Sequence, residues 1–301
     1  MAHDHSHAHP TPRPGRAFAI GIGLNLAFVL VEAGFGWHAK SLALLADAAH
    51  NLSDVGGLVL AWAAFAAAKR RPDDRHTYGW RRGSILASFA NAVLLLVAMG
   101  SLAWEATQRI GAPSDVDGLT VMVVAAIGVV VNFGTALLFM GDRHDLNMRG
   151  AFLHMAADGL VSVGVVVAGA LTLWKGWGWL DPVVSLAVAA VVVVGTWSLF
   201  RRSLHLLFDG VPDDVSVPDV RQCLLGLPGV AAVHDLHVWA LATSDNALTA
   251  HLVLADDAVS HDAVLRAARE ALAHRFGIHH ATLQLESSGF AAHCVEVAPP
   301  Y

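Results

Sequence analysis

Two matching histidine–aspartate pairs lie inside otherwise apolar stretches of this sequence. His50 and Asp54 are four residues apart in a run of Leu, Ala, Val and Gly, and His154 and Asp158 repeat that spacing further along the chain. Residues four apart lie on one face of an α-helix, one turn from each other. Each pair can therefore offer an imidazole nitrogen and a carboxylate oxygen to one ligand. Two such pairs on facing helices form a tetrahedral set suited to Zn²⁺.

The cost of placing these groups in a membrane favours a functional interpretation. An ionised aspartate at mid-bilayer costs about 2.5–3.5 kcal/mol, so an ionisable group at that depth indicates a functional site by default. The alternative is a hydrogen-bonded cluster that holds the second and fifth helices together. Two matching pairs favour the metal site over that alternative.

The charges of the four side chains suggest a mechanism. Two carboxylates carry a charge of about −2, which one Zn²⁺ neutralises in a low-dielectric site. When the metal leaves, protons on the aspartates and histidines are the natural substitute. Metal and protons then compete for one site, and a site that opens alternately to the two sides of the membrane would exchange Zn²⁺ for H⁺.

Further polar residues occur in the same apolar stretches. Asp47 precedes His50 by three residues and faces roughly the same way. It is expected either to support the metal site or to contact the first helix. Glu32 and Asn25 in the first helix, and Asn132 in the fourth, are better explained by hydrogen bonds between helices.

The composition and the length of the apolar stretches predict a membrane protein. The chain has 301 residues, of which 55% are hydrophobic and 15% charged, whereas soluble domains carry about 25% charged residues. A net charge of −6 argues against a nucleic-acid partner. Two cysteines, Cys223 and Cys294, exclude a disulfide framework. Six stretches can cross a hydrocarbon core of about 30 Å: Arg16–Trp37, Leu42–Ala67, Ser84–Arg109, Leu119–Met140, Ala151–Trp174 and Trp179–Phe200.

The distribution of basic residues predicts the orientation. The N-terminal tail, the 2–3 loop, the 4–5 loop and the segment after the sixth helix hold twelve Lys and Arg residues, whereas the opposite loops hold only Lys40, Arg109 and Lys175. Basic residues concentrate on the cytoplasmic side, so both termini are expected to be cytoplasmic. Residues 1–15 are no secretory signal, and their histidines at positions 3, 5, 7 and 9 suggest weak metal capture or a solvated tail.

Residues 208–301 have the composition of a small soluble domain. Their pattern predicts the order α-β-β-α-β, a compact α+β sandwich that follows the six-helix domain of residues 16–207. The longer helix, HDAVLRAAREALAHRFG, has one apolar face, formed by Val264, Leu265, Ala268, Leu272 and Phe276.

Motifs along nearly the whole chain resemble the cation diffusion facilitators, specifically the zinc-transporting branch. They are SLALLADAAHNLSD in helix 2, RHTYGWRR in the next loop, HDLNMRGAFLHMAADGLVS into helix 5, LDPVVSL opening helix 6, and VHDLHVW in the soluble domain. One HxxxD motif would be weak evidence for the family, but two of them in this order, each within an apolar helix, are highly specific for it.

The resemblance implies a homodimeric zinc/proton antiporter, not an enzyme, that exports cytosolic Zn²⁺ by alternating access through the cytoplasmic (inner) membrane. It places the transport ligands on His50, Asp54, His154 and Asp158, a set that looks like the zinc-selective pattern of the family. It also implies that the soluble domain is ferredoxin-like, dimerises and binds regulatory zinc. No other cofactor is expected.

The resemblance also suggests ligands for the regulatory metal in the soluble domain. They are His234, His251 and Glu286, with His279 nearby. A symmetric hairpin about TSDN would instead place His237 opposite His251, so the register decides between His234 and His237, and we favour His234. Surface histidines on a solvated sheet are the alternative.

The loop between helices 2 and 3 lacks one ligand of a zinc site that some family members have. Some relatives bind a second zinc in the 2–3 loop with an Asp and two His. This loop keeps Asp73, Asp74 and His76, but Trp80 takes the place of the second histidine. That site is expected to be absent or weak.

Two other functional classes are less well supported. An intramembrane metalloenzyme would need a general base apart from the ligands, as in HExxH, and no HExxH occurs. A metal sensor would rely on the histidine tail and the soluble domain, and would gain nothing from ligands buried in lipid.

Overall fold

A computed structural model of the chain describes residues 16–111, 115–139, 146–256 and 260–291, with side chains from residue 23 onward except 138–151. The histidine-rich tail and Cys294 lie outside these residues. In chain order the elements are α1 (Arg16–His38), α2 (Leu42–Ala68), α3 (Gly83–Gly111), α4 (Gly118–Phe139), α5 (Leu146–Lys175), α6 (Leu180–Leu207), α7 (Val217–Leu225), β1 (Val230–Ala242), β2 (Asp245–Leu254), α8 (His261–Phe276) and β3 (His280–Glu286).

The long helices follow the predicted apolar stretches closely. In the part of the chain whose side chains are described, five helices are long and apolar enough to span a membrane. They are α2, α3, α4 through Leu137, α5 from Phe152, and α6. The 23 residues of α1 have the length required for a sixth span.

The chain forms two compact units. The first contains residues up to Leu58 together with Val93–Thr196, and the second contains Val59–Ala92 together with Trp197–Tyr301. α2, α3 and α6 therefore each contribute to both units.

In the first unit, α4 and α5 pack with their backbones close together. A Cβ placed on Gly169 would lie 2.9 Å from the Met122 nitrogen, and one on Gly118 would lie 2.9 Å from the Gly169 carbonyl oxygen. Only glycine fits such an approach, as in other close helix pairs in membranes. This packing holds α5, which carries His154 and Asp158, against α4.

The start of α2 is anchored by α6. Asp181 accepts hydrogen bonds from the Leu42 amide (2.8 Å), from the Ala43 amide (3.4 Å) and from the Ser41 hydroxyl. The first amides of a helix have no partner within it, and a carboxylate there also matches the helix dipole. The LDPVVSL motif therefore supplies a cap for the helix that carries His50 and Asp54.

The C-terminal residues of the second unit form a three-stranded sheet with two helices. β1 and β2 pair antiparallel, β2 and β3 pair parallel, and β2 is central. Helix α8 makes the crossover between the parallel strands, beginning after the N-cap Ser260 and ending at Gly277, whose φ of 65° suits glycine. The predicted α-β-β-α-β order is confirmed.

The core of this sheet contains the predicted apolar face of α8. Val264, Ala268 and Leu272 are buried against Leu248 and Leu252 of β2, and Phe276 packs at the margin. The amphipathic pattern identified the buried positions Val264, Ala268 and Leu272 correctly, whereas Leu265, predicted on the same face, is only half-buried and lies outside this core.

The same unit joins the loop after α2 to the soluble elements. Arg81 Nη1 lies 2.5 Å from Asp245 Oδ2, and Arg82 pairs with Asp209. The Ser84 hydroxyl accepts a hydrogen bond from the Thr243 amide at 3.1 Å. The 2–3 loop thus contacts the tip of the β1–β2 hairpin.

Candidate metal centre

The four side chains of the paired motifs meet between α2 and α5. One ligand atom from each of His50, Asp54, His154 and Asp158 lies within 4.8 Å of the other three. The shortest separations cross between the helices: His154 Nε2 is 3.1 Å from Asp54 Oδ2, and His50 Nε2 is 3.4 Å from Asp158 Oδ1. Within each helix, the imidazole and carboxylate are 3.8 Å apart on α2 and 3.7 Å apart on α5.

These separations suit one tetrahedral ion. Bonds of about 2.0–2.2 Å from Zn²⁺ to nitrogen and oxygen place neighbouring ligand atoms about 3.3–3.6 Å apart. The four imidazole–carboxylate contacts, at 3.1–3.8 Å, bracket that range, with Asp158 presenting Oδ1 to His50 and Oδ2 to His154, and all separations within the set are at most 4.8 Å. Two imidazoles and two carboxylates therefore could hold a single divalent cation without large movement of either helix.

The ligand set has an exposed end and a buried end. The side chains of His154 and Asp54 are 44% and 35% exposed, whereas those of His50 and Asp158 are 20% and 4% exposed. The cross-helix pairing makes α2 and α5 antiparallel here, so the exposed pair lies toward the end where α2 finishes and α5 starts. The sequence pattern alone does not distinguish the two ends.

Buried polar side chains continue beyond the buried end of this set. The Ser162 hydroxyl donates to Asp47 Oδ2 at 3.1 Å, and Asn132 Nδ2 donates to the Ser162 hydroxyl at 3.5 Å. Glu32 on α1 adjoins Asp47 and Asn51. The expected contacts of Asp47 and Asn132 between helices are thus present.

Ser162 and Asn51 were not singled out from the sequence. A signal exists for both, because Ser162 follows Asp158 by one helical turn and Asn51 follows Asp47 by one turn. Asn25, also predicted to bond between helices, approaches the sulfur of Met155 at 3.4 Å.

A second cluster lies in the soluble part of the chain. His234, His251 and Glu286 each place a ligand atom within 4.8 Å of the others. Glu286 Oε2 is 2.8 Å from His234 Nε2, and Glu286 Oε1 is 2.9 Å from His251 Nδ1. Burial raises the pKa of the Glu286 carboxyl, but hydrogen bonds from His234 and Gln284 outweigh it, and the net pKa is lowered. The two imidazoles therefore favour the ionised form of this carboxyl, which is the form that could bind a metal.

A β-bulge brings His234 into this cluster. His237 pairs with Thr249, but His234 pairs with His251, so two residues of β1 oppose one residue of β2 between them. Without the extra residue, Asp235 and not His234 would be the cross-strand partner of His251, although the Asp235 carboxylate still lies 3.4 Å from His251 Nε2. Asp235 has a φ of 50°, in the left-handed region that Asp tolerates better than most residues. The register therefore favours His234, which the resemblance suggested, over His237, which a symmetric hairpin would have placed opposite His251.

His279 lies outside the cluster. It is exposed and immediately precedes β3, whereas Glu286 is the last residue of that strand. Seven residues at about 3.3 Å each separate the two by roughly 20 Å. The structure therefore does not bring His279 to the other three predicted ligands.

The 2–3 loop also lacks a complete set of ligands among the described residues. Asp73 accepts hydrogen bonds from the amides of Arg75 and His76, which lower the pKa of its carboxyl. The His76 ring stacks on Trp80 with centroids 4.3 Å apart. Trp80, which takes the place of the second histidine, thus packs on His76 and offers no metal ligand.

Comparison with known proteins gives the family. The model of the cation efflux transmembrane domain matches residues 18–208, and the model of the cation efflux protein cytoplasmic domain matches residues 212–288. The metal cation efflux system protein CzcD of Cupriavidus metallidurans is 39% identical over 86% of this chain and 82% of its own length.

Two further relatives are similar over comparable lengths. The cadmium, cobalt and zinc/H⁺-K⁺ antiporter of Bacillus subtilis is 36% identical over 86% of this chain and 85% of its own. The zinc transporter ZitB of Escherichia coli is 36% identical over 86% and 83%. These proteins are transporters and not enzymes. This integral membrane chain, with its apolar helices and its cytoplasmic-domain match, therefore belongs to the cation efflux, or cation diffusion facilitator, family of metal-cation transporters, as its motifs indicated.

Proposed function

We propose that this chain is a zinc(II)/proton antiporter that exports cytosolic Zn²⁺ through the site formed by His50, Asp54, His154 and Asp158. The observation that carries the proposal is the geometry of those side chains, whose contacts of 3.1–3.8 Å fit a tetrahedral Zn²⁺. Relatives that are named for zinc transport, and one named an antiporter of protons, support the choice of substrate and coupling.

Alternating access gives the uneven exposure of the ligands a role. Asp54 and His154 are at the end of the site nearer the basic 2–3 and 4–5 loops, which the charge distribution assigns to the cytoplasm. A site exposed there can load cytosolic zinc. A second state would expose His50 and Asp158 to the other side, where protons replace the metal.

The proposal includes the architecture expected from the sequence. Residues 16–207 form six spans, residues 208–301 form a ferredoxin-like cytoplasmic domain, and residues 1–15 form a cytoplasmic tail. The protein lies in the inner membrane, and two copies associate through the cytoplasmic domain. The match of residues 212–288 to the family's cytoplasmic-domain model supports this association. His234, His251 and Glu286 hold a regulatory zinc, and His279 is the weakest of the predicted ligands.

Flux measurements test the transport function. Purified protein in proteoliposomes is expected to move zinc in response to an opposed pH gradient and to move protons in the opposite direction. Asp54→Ala and Asp158→Ala should abolish zinc flux, whereas Asp219→Ala, which removes an exposed carboxylate from α7, should not. Zinc flux that is insensitive to the pH gradient would contradict antiport, and flux retained by both ligand variants would contradict the site.

A further inference from the structure

Two carboxyl groups in the first unit have no role in the proposed metal site. Glu32 on α1 is fully buried, and Asp47 on α2 is 1% exposed. A charged carboxylate at such a depth in a membrane costs several kcal/mol unless it is paired. In a chain that uses buried carboxylates to bind its substrate, two more of them require an explanation.

The side chains around these carboxyls leave several oxygens without a partner. Asp47 Oδ2 accepts a hydrogen bond from Ser162, but Asp47 Oδ1 and both oxygens of Glu32 have no partner of hydrogen-bond geometry. The two carboxyls nevertheless adjoin each other, and Asn51 is beside Glu32. Adjacent carboxyls in a dry environment cannot both ionise easily. A shared proton between Glu32 and Asp47 would remove the conflict.

The carboxyl pair is next to the buried end of the metal site. Asp47 precedes His50 by three residues on α2, and its partner Ser162 follows Asp158 by four on α5. The titratable groups that act on Asp47, besides Glu32, are Asp158 from α5 and His50 from α2. From α4, the uncharged Asn132 completes the polar surroundings through Ser162. The pair is thus close enough to respond to the charge of the metal site.

The chemistry of the pair favours a proton over a second metal ion. The pair offers carboxyl and amide oxygens and no imidazole or thiolate, which are the ligands that Zn²⁺ most often takes in proteins. Within the described residues, the pair does not belong to any group of three metal-ligating side chains. A proton needs only two adjacent oxygens.

We propose that Glu32 and Asp47 form a proton-binding pair behind the metal site, which releases a proton when zinc binds and takes one up when zinc leaves. The inference rests on the proposed zinc/proton exchange and adds a carrier for part of the proton flux. The double charge of an arriving Zn²⁺ disfavours a nearby proton, and its departure restores the excess negative charge that favours one. The proton is exchanged with water, and no covalent bond other than O–H changes.

The test compares proton and zinc fluxes in Glu32→Gln and Asp47→Asn with those of the parent. A pH dye and a zinc dye trapped in the same proteoliposomes give the number of protons moved per zinc. Zinc affinity is measured in detergent in a His234→Ala background, so that the soluble cluster does not contribute. Ser162→Ala is the matched control, because it removes a buried hydrogen bond to Asp47 without removing a titratable group.

Both carboxyl variants are expected to bind zinc within about threefold of the parent, a difference below 1 kcal/mol, and to move fewer protons per zinc. Ser162→Ala should keep the parental ratio. The inference is overturned if Glu32→Gln and Asp47→Asn bind and transport zinc with the parental proton ratio, because the carboxyls would then only hold the helices together. A parent that moves zinc without any protons would instead refute the antiport itself.

A spectroscopic measurement covers the case in which neither variant folds. In Glu286→Gln protein labelled with ¹³C at the glutamate carboxyls, Glu32 is the buried glutamate among the described residues. Infrared difference spectra should show the band of a protonated ¹³C-carboxyl changing when zinc is added. The absence of any zinc-dependent change in the bands of protonated carboxyls, both the labelled glutamate and the unlabelled aspartate bands, would overturn the proposal.

Discussion

Replacing one aspartate of the proposed metal centre by asparagine removes a negative charge while keeping the side-chain volume. Asp54 and Asp158 are equivalent in the HxxxD pattern, but the Asp158 side chain is 4% exposed and that of Asp54 is 35% exposed. The two substitutions should therefore have different effects on zinc affinity. We expect Asp158→Asn to weaken binding more than Asp54→Asn.

The size of the difference follows from burial. Removing one partner from a buried charge pair costs about 3–5 kcal/mol, which corresponds to a loss of affinity of roughly a hundredfold to several thousandfold at Asp158. At Asp54, which is 35% exposed, water screens the lost charge and can itself approach the bound ion. A loss of about 1.5–3 kcal/mol, typical of one charged contact, is expected there. The midpoints of the two ranges differ by about 1.7 kcal/mol, so Asp158→Asn should bind zinc roughly tenfold more weakly than Asp54→Asn.

Calorimetric zinc titration of purified protein in detergent measures this difference. All variants carry His234→Ala, so that the heat comes from the membrane site. Asp219→Asn, at an exposed carboxylate of α7, controls for loss of a charge as such and should bind like the parent. Equal affinities for the two ligand variants, or tighter binding by Asp158→Asn, would refute the argument from burial.

Three further predictions concern the supporting structure. Asp181→Ala should lower the free energy of unfolding by about 1–3 kcal/mol, because the first amides of α2 lose their acceptor; denaturation in detergent measures it, and an unchanged midpoint would contradict the cap. His234→Ala should abolish zinc binding to the soluble cluster, whereas His237→Ala should preserve it. Zinc titration in an Asp158→Ala background measures both, and loss of binding in His237→Ala but not in His234→Ala would refute the observed register. Because the pKa of Glu286 is lowered from 4.5, its contribution to stability is present above pH 4.5 and lost as the pH falls through its folded pKa. Glu286→Gln should therefore reduce the dependence of the melting temperature on pH across that acidic range. An unaltered dependence would contradict this expectation.

The clustering of the four proposed transport ligands could be predicted from sequence because their arrangement is largely local. The spacing of four between His50 and Asp54 places both on one side of α2 whatever the rest of the chain does. The apolar composition of the surrounding residues then predicts helices that span the membrane. For the same reason the amphipathic repeat in α8 identified Val264, Ala268 and Leu272 as a buried face.

Other features depended on contacts between distant parts of the chain. The bulge at Asp235 decides that His234 pairs with His251, and no residue spacing within β1 contains that information. His279 is close to Glu286 in sequence, but an extended strand carries it roughly 20 Å away. The resemblance had placed His279 near the other ligands, and the extended strand accounts for the difference.

The sequence by itself determined the elements of this protein and the residue types that meet in its membrane site, because helical periodicity and hydropathy act over a few turns. Only the tertiary structure decided which ligands are exposed, which are buried, and that Glu32, Asp47 and Ser162 extend the polar region beyond them. Those properties arise from the antiparallel packing of α2 and α5 and the approach of α1 and α4. Burial and mutual charge are properties of the assembled helices, not of any one of them.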